Sequence, residues 1–375
     1  MAPTVVTGVG LVTPLGHDPT EVLRRIGAGE TAAARPVRFD PSPFGCQLAA
    51  EVRDLDPAAC VSDPKAVRLM GRDALLAAAA ARRALAAAGL VVGRDYGAGE
   101  IALFGATGLA GMELEEVEPL IRHSRSEGGG FDPRRFGAEA LKRVRPILSF
   151  RILSNMPVCF VSIFEGIQGP NGVYNPWEGQ GAQAIDRGID ALRRGEAACA
   201  VVGGCDAKAH ALGFLGLEEA GAFRSWRASG RGSAPGEGAA FLVLEDEDRA
   251  RSRGARPLAR IGASSLRTAK DASRPEEARR EALARLRPRP GAFLVSGEEG
   301  DGTVAPIEEG TLTDSGAPPS GALRPKPHVG NLFAASAAVQ VGLAAVIASA
   351  QAGRQVLAAC FGHGSTQAAF LLEGA

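Results

Sequence analysis

The sequence lacks any excess of charge of one sign: its 375 residues contain 42 Lys and Arg and 42 Asp and Glu, for a formal net charge of zero. A neutral chain argues against nucleic acid or an anionic membrane as the main partner, because both favour clustered positive charge. A net charge near zero also tolerates close association with another protein. We therefore expect no nucleic acid and no membrane among its main partners.

The sequence also lacks the marks of export. No basic segment followed by an apolar core precedes the predicted strand Thr4–Thr7, which predicts the absence of a signal peptide. The Ala-rich stretch Ala74–Leu90 contains Arg82 and Arg83, so it predicts a soluble helix rather than a membrane span. The six cysteines show no C-x-x-C spacing and most lie in apolar context, as buried thiols do. These features indicate a reducing, cytoplasmic setting.

Signatures of metal and cofactor binding are missing as well. No group of His, Cys and Asp has the spacing of a metal site. The Gly-x-Gly at Gly179–Gly181 lacks the rest of a dinucleotide-binding fingerprint. The sequence therefore predicts neither a metal nor a cofactor.

Glycine, in contrast, is abundant, with 49 residues in a chain that is 45% hydrophobic. This composition suits a densely layered α/β protein with many tight turns, and predicted strands alternate with predicted helices throughout. The helical patterns include Lys65–Leu90, Gly111–Arg122 and Ala182–Arg194. The segment Leu258–Ser265 resembles the opening strand, since both are β-prone runs that contain a glycine. We therefore expect an internal duplication, with one half over residues 1–250 and the other over 251–375.

The stretch Gly169–Gly181 carries the strongest local signal. A short β-prone run, Val173–Asn175, is followed by a Pro, by Glu178 and by a helical pattern. A strand, a tight turn and a helix start build a nucleophile elbow, in which the turn residue faces the free N–H groups of the helix. Such an elbow normally presents Ser or Cys, whereas here it presents Glu178. A plain Gly-rich loop before a helix explains this stretch equally well.

Several motifs in a fixed order together resemble β-ketoacyl synthases of the thiolase-like superfamily, over nearly the whole chain. These motifs are the opening Val5–Gly16, the Ala-rich Arg68–Leu90, Asn155-Met156, Gly169-Pro170-Asn171, Val201–Gly204, Gly236–Ala239, and Lys326 with Gly330. The resemblance implies an α/β thiolase-like fold, in which two duplicated αβ halves form a five-layer αβαβα sandwich. It places Asn155-Met156 before a helix of a buried dimer interface, where Phe164 is the candidate contact.

The resemblance also shows where this chain departs from the family. By position, Glu178 replaces the catalytic Cys, Glu299 the first His and Asn331 the second His, while Lys326 is retained. A carboxylate cannot exchange thioesters as a thiolate does, and Glu299 would repel the enolate that an imidazole stabilises. The Phe that gates acyl transfer in the family is His363 here. The set is therefore expected to be vestigial.

The branch of the family that likewise lacks the catalytic Cys is the chain-length factor of type II polyketide synthases, although it typically carries Gln at the elbow. The resemblance implies a heterodimer with a ketosynthase subunit that has the active Cys, working with an acyl carrier protein. It places tunnel residues at Met112 and Leu114, although Met112 is nearly as well explained as core filler. An alternative remains open, in which Glu178 and Glu299 act as an acid/base pair in thioester hydrolysis or malonyl decarboxylation. An ion-pair cluster in which Lys326 neutralises both carboxylates is the simpler expectation.

Overall fold

The structure is a computed structural model that describes residues 2–61, 63–109 and 112–375. Its described strands are β1 (Thr4–Val12), β2 (Ala33–Ala34), β3 (Ala49–Ala50), β4 (Ile101–Thr107), β5 (Asn171–Tyr174), β6 (Cys199–Ala207), β7 (Glu237–Asp246), β8 (Ala259–Thr268), β9 (Phe293–Val295), β10 (Gly321–Leu323), β11 (Gln355–Cys360) and β12 (Thr366–Gly374).

The described α-helices are α1 (Pro19–Gly27), α2 (Arg72–Ala87), α3 (Leu114–His123), α4 (Pro133–Arg135), α5 (Leu148–Arg151), α6 (Met156–Glu165), α7 (Glu178–Arg193), α8 (Ala211–Glu219), α9 (Arg224–Ser229), α10 (Glu247–Ser252), α11 (Glu276–Ala284), α12 (Ala305–Asp314), α13 (Lys326–Val329) and α14 (Ser336–Ser349). Short 3-10 turns cover Ala58–Cys60, Pro64–Leu69, Ala98–Glu100, Leu141–Arg143 and Phe333–Ala335, and a π turn covers Phe136–Ala140. None of the helices in these described ranges combines the length and apolar composition needed to cross a bilayer.

The strand order shows the internal duplication directly. In the first half the strands run β5-β4-β6-β7-β1, and in the second half they run β10-β9-β11-β12-β8. The directions also correspond, because β4 is parallel to β5 and β6 just as β9 is parallel to β10 and β11, while the remaining pairs are antiparallel. The two five-stranded units are joined through β1 and β8 by two antiparallel residue pairs, Val5 with Arg260 and Val6 with Ala259. The duplication predicted from the two similar opening strands is confirmed.

Helices cover and separate the two five-stranded units. Helices α7 and α14 pack on each other and on strands of both halves, and they contribute many residues to the largest apolar core. Helix α2 packs on β1, β6, β7 and α6, whereas α11 packs on β8, β12 and α12. The five-layer αβαβα arrangement is therefore confirmed. The division of the chain at residues 250 and 251 stays a prediction; the first unit's last strand ends at Asp246 and the second unit's first strand begins at Ala259.

The boundaries of three predicted helices need correction. The helix predicted over Ala182–Arg194 begins earlier, at Glu178. The helix predicted over Lys65–Leu90 is interrupted, because a 3-10 turn ends before the extended residue Gly71, which precedes α2. The helix predicted from Gly111 begins at Leu114; Gly111 itself lies outside the described residues.

Two glycines let the central layer close around the start of α7. A Cβ on Gly181 would lie 2.5 Å from the carbonyl oxygen of Ala334, and one on Gly204 would lie 2.3 Å from the same oxygen. Contacts this short do not occur for real Cβ atoms, so only glycine fits at either position. Gly181 is thus required inside a helix by packing, which explains why a helix start at Ala182 was the wrong interpretation of the Gly-x-Gly.

This close approach predicts a stability difference between two glycines. Gly204→Ala should destabilise the protein by about 1–3 kcal/mol, because overpacking forces the backbone apart. Gly216→Ala is the matched control, since a Cβ there meets no atom within 4 Å, and in an exposed helix Ala is favoured over Gly. Urea unfolding followed by circular dichroism measures both. Equal midpoints for the two variants would contradict the packing argument.

Candidate functional site

The elbow is built by β5, a three-residue turn and the start of α7. Trp177 has an extended backbone, and its N–H donates to the side chain of Gln180 at 3.1 Å. Glu178 is the first residue of α7 and its side chain is fully buried between the two sheets. The N-terminus of a helix favours a negative charge, because its first N–H groups have no partner within the helix.

The Glu178 carboxylate is surrounded by donors from the second half. Its Oε1 accepts from Asn331 Nδ2 at 2.8 Å and lies 3.2 Å from His363 Nδ1 and 3.6 Å from Lys326 Nζ. Its Oε2 accepts from the backbone N–H of His363 at 3.0 Å. A Cβ on Gly362 would lie 2.2 Å from the carboxylate carbon. The glycine before His363 is therefore what leaves room for Glu178.

Glu299 and Lys326 complete the cluster. Lys326 Nζ donates to Glu299 Oε1 at 2.9 Å and to the carbonyl oxygen of Phe361 at 2.6 Å. Asn331 Nδ2 also lies 3.2 Å from Glu299 Oε1, so its amide bridges the two carboxylates, while its Oδ1 accepts from the backbone N–H of Phe333. The structure thus brings together Glu178, Glu299, Lys326 and Asn331, which sequence reasoning had placed in one site.

The charges in this cluster balance. Burial alone would raise the pKa of the Glu178 carboxyl, but Lys326 and His363 outweigh that cost and hold this pKa well below its usual value. Burial would lower the pKa of Lys326, but Glu299 and Glu178 raise it. The same two carboxylates overcome the burial of the His363 imidazole and raise its pKa to about 9. At neutral pH, two carboxylates therefore face two cations.

The charge on His363 is the feature that sequence reasoning missed. The resemblance assigned His363 only to a gate position, whereas the structure makes it the second counter-ion of the carboxylates. Its ring also lies 5.5 Å from Trp177 and 5.7 Å from Phe333, measured between ring centroids. His328, by contrast, directs Nδ1 to the carbonyl oxygen of Glu30 at 2.7 Å.

The family of the chain can now be assigned. The family model described as "Beta-ketoacyl synthase, N-terminal domain" matches residues 1–250, which is two thirds of the sequence. This chain belongs to the β-ketoacyl synthase family. It is 28% identical over 267 residues to 3-oxoacyl-[acyl-carrier-protein] synthase 2 of Staphylococcus aureus (strain N315), and 29% over 268 residues to that of Coxiella burnetii. Each match covers 68% of this chain and 61% of the relative, so the match spans about three fifths of these relatives.

Solved ketosynthases share the fold over the whole chain. A structure titled as a type II PKS acyl-carrier protein in complex with its ketosynthase has a TM-score of 0.77 and 18% identity, and the match covers 100% of both chains. The ishigamide ketosynthase/chain length factor gives 0.75 and 22%, covering 100% of this chain and 99% of the other. A β-ketoacyl synthase from Burkholderia phymatum STM815 gives 0.78 and 18%, covering 100% of both chains. These likenesses establish the thiolase-like fold of the ketosynthases.

The cavity beside the charged cluster of this ketosynthase-family chain is very small. Its volume is about 30 Å³, close to the space that one water molecule needs. Its polar floor includes Glu299, Asn331 and His363, and its apolar wall includes Phe223 and Trp226. The space that adjoins the cluster is therefore far smaller than a typical small-molecule pocket of roughly 300–1,000 Å³.

Three ligand atoms in the cluster would suit a metal ion. Glu178, Glu299 and His363 offer oxygen and nitrogen atoms that lie within 4.8 Å of one another, a grouping that spacing in the sequence could not show. Lys326 and Asn331, however, already donate to the same carboxylate oxygens. The site therefore supplies its own positive charge.

The remaining predicted residues lie in the segment between β4 and β5. Met112 is half-buried and precedes α3, and Leu114, the first residue of α3, is 42% exposed. Phe164 on α6 is partly buried, packs on the core and stacks on Phe160 with ring centroids 5.7 Å apart. Its neighbour Ile163 is 67% exposed. The tunnel and interface roles of these residues stay predictions.

The shifted pKa of His363 predicts a pH-dependent stability. Because the folded-state pKa of about 9 lies above the ordinary histidine pKa of 6.5, the stabilisation is complete below pH 6.5 and is lost as pH rises through 9. The free energy of unfolding should fall by roughly 3 kcal/mol across that range. Urea titrations at pH 6, 7.5 and 9 measure it.

Two histidine variants control this measurement. His363→Gln should remove most of the pH dependence, whereas His328→Gln should keep it, because His328 contacts the Glu30 carbonyl instead of the carboxylates. A wild-type stability that is flat between pH 6.5 and 9 would show that His363 is not the counter-ion.

Proposed function

We propose that this chain is a non-catalytic subunit of the chain-length-factor kind, which pairs with an active ketosynthase and helps to shape its acyl tunnel during decarboxylative chain elongation. One observation carries the proposal. Glu178 occupies the nucleophile position as a fully buried carboxylate whose oxygens already contact Asn331, Lys326 and His363. A group held in this way is a structural ion rather than a nucleophile.

The chemistry of the other two positions supports the same conclusion. Condensation by the family needs a thiolate to hold the acyl chain and two imidazoles to stabilise the enolate formed when malonyl loses CO2. Here Glu299 places a negative charge where that enolate would develop, and such a charge opposes it. Asn331 donates a hydrogen bond but provides no titrating proton. All three catalytic groups are therefore replaced by groups that stabilise one another.

The segment that joins β4 to β5, together with the edge strand β5, supports pairing with a second subunit. Strand β5 lies at the end of the strand order and pairs with β4 on one side. An open strand edge is a template for another chain, and exposed apolar side chains are typical of interfaces. Exposed large apolar residues of the segment before β5 are Leu109, Leu114, Ile121, Phe131, Leu141, Phe150, Ile152, Leu153 and Ile163. We infer that this surface is covered by a ketosynthase.

The partner and the carrier are inferred from the resemblance and from the titles of similar structures. One such structure is named a ketosynthase/chain length factor, and another an acyl-carrier protein in complex with its ketosynthase. We propose the same kinds of partner for this chain, a Cys-bearing ketosynthase and an acyl carrier protein. In that assembly Met112 and the exposed Leu114 would contribute to the tunnel at the subunit boundary.

The alternative of an independent enzyme has less support. An acid/base pair needs one carboxyl to be protonated while the other is ionised, and it needs room for the substrate. Glu178 is instead held ionised by two cations, and the adjoining cavity has a volume of about 30 Å³. Hydrolysis of acyl thioesters by the purified chain alone would restore this alternative.

The first test of the proposal is catalytic. The purified chain should not condense malonyl and acyl groups on an acyl carrier protein, and Glu178→Cys should not restore condensation, because Glu299 and Asn331 still occupy both His positions. Intact-protein mass spectrometry and product analysis measure acylation and condensation. The ketosynthase encoded in the neighbouring reading frame, if it has the Cys and both His residues, is the positive control. Condensation by Glu178→Cys alone would overturn the assignment of the His positions.

A second test addresses the interface. Ile163→Asp should abolish copurification with the ketosynthase, because it places a charge on an exposed apolar position of α6 without removing core contacts. Phe164→Asp should do the same, but it also disturbs the stacking on Phe160. Arg285→Asp, at the exposed residue that directly follows the outer helix α11, is the control that should leave copurification unchanged. An unaffected complex with Ile163→Asp would move the interface elsewhere.

A further inference from the structure

The small cavity beside the charged cluster is bounded on one side by the end of α8 and the segment that follows it. Leu217, Ala222, Phe223 and Trp226 form the apolar wall, opposite the polar floor of Glu299, Asn331 and His363. Trp226 lies on α9, a helix of six residues that starts after the buried Phe223. The indole is partly buried and lines the same cavity as Glu299, Asn331 and His363.

Hydrogen bonds link the segment that carries the indole to the polar side of the cavity. Trp226 Nε1 donates to the carbonyl oxygen of Ser233 at 3.4 Å, and a Cβ on Gly232 would lie 2.8 Å from the same nitrogen. Ser233 Oγ in turn donates to the carbonyl oxygen of Glu299 at 2.6 Å. The chain that carries the indole is therefore fixed to the backbone of one of the cluster's own residues.

The same segment has the backbone features of a movable element. Gly221, Gly230 and Gly232 have φ values of +72°, +67° and +142°, which are left-handed conformations that favour glycine. They flank α9 on both sides, as hinge positions often do. On its outer side Arg227 forms an ion pair with Glu218 at 2.6 Å, and exposed pairs of this kind contribute little to stability.

We propose that residues 221–232 form a lid whose latch is Trp226, and that this lid prevents a thioester arm of the pantetheine class from reaching position 178. The identity of the excluded arm rests on the proposed function, but the lid itself is defined by the pocket and the indole. In the resulting assembly, acyl groups enter through the partner subunit and bypass the pocket of this chain.

The test places a reporter thiol under the lid. In Glu178→Cys the new side chain lies at a helix N-terminus beside Lys326, an environment that lowers a thiol pKa and increases its reactivity. Slow labelling would therefore reflect access rather than chemistry. The probes are iodoacetamide and a pantetheine that carries a bromoacetyl group, and peptide mapping separates position 178 from the native cysteines, of which Cys159 is partly exposed.

We expect Glu178→Cys to be labelled slowly by the pantetheine probe and Glu178→Cys/Trp226→Ala to be labelled faster by roughly tenfold or more, because protection by a local lid is lost when its packing is removed. Trp226→Phe keeps a ring in the pocket and should give a smaller increase. If Trp226→Ala lowers solubility, Trp226→Leu tests the same lid, because it also removes the indole and its hydrogen bond to the Ser233 carbonyl oxygen, and it should also speed labelling.

Phe44→Ala is the matched control, because Phe44 packs on Phe214 in the same aromatic cluster but does not line the cavity. An equal increase with Phe44→Ala would indicate general loosening and overturn the lid. Fast labelling of Glu178→Cys with the lid intact would overturn it too, as would no increase with either Trp226→Ala or Trp226→Leu. Copurification with a ketosynthase is a separate measurement, so the lid can fail while the proposed function stands.

Discussion

The site depends on neutralising one carboxylate that is buried between two sheets. An ionised group with no solvent exposure is costly unless cations and hydrogen-bond donors replace water around it. Glu178 obtains both from the second half of the chain, through Lys326, Asn331 and His363. Lys326 lies on α13, Asn331 lies before the turn that leads into α14, and His363 lies in the loop after β11. The positions of all three segments therefore depend on this one charge.

The duplication explains how such a site can form from distant parts of the sequence. Helices α7 and α14 occupy corresponding places, each between the third and fourth strand of its half in chain order, counted without β2 and β3. Because both helices lie in the central layer, the start of α7 meets the residues that lead into α14. The family model covers residues 1–250, yet three of the four charged members of the cluster lie beyond that range. The first half contains Glu178, and both cations that neutralise it come from the second half.

Much of this arrangement could be predicted from the sequence. The alternation of strands and helices gave the fold class, and the ordered motifs placed Glu178, Glu299, Lys326 and Asn331 together. Two features could not be predicted. The charge on His363 depends on its distance from two carboxylates that lie far away in sequence, and no local pattern reports such a distance. The helix start at Glu178 was hidden because Gly181, which resembles a turn residue, is required by the nearby carbonyl oxygen of Ala334. The role of Trp226 likewise appears only when α9 and the cluster are seen in space.

The amide of Asn331, which bridges two carboxylates, bears on how this chain could evolve. A single change of Glu178 to Cys would leave the His363 imidazolium facing one carboxylate instead of two, and a change of Glu299 to His would add a third basic group around Lys326. Removing one partner of a buried ion pair typically costs about 3–5 kcal/mol. Each single substitution in the cluster would therefore meet a stability barrier. The interlocked cluster therefore opposes single substitutions at either carboxylate, and selection for stability alone would retain both.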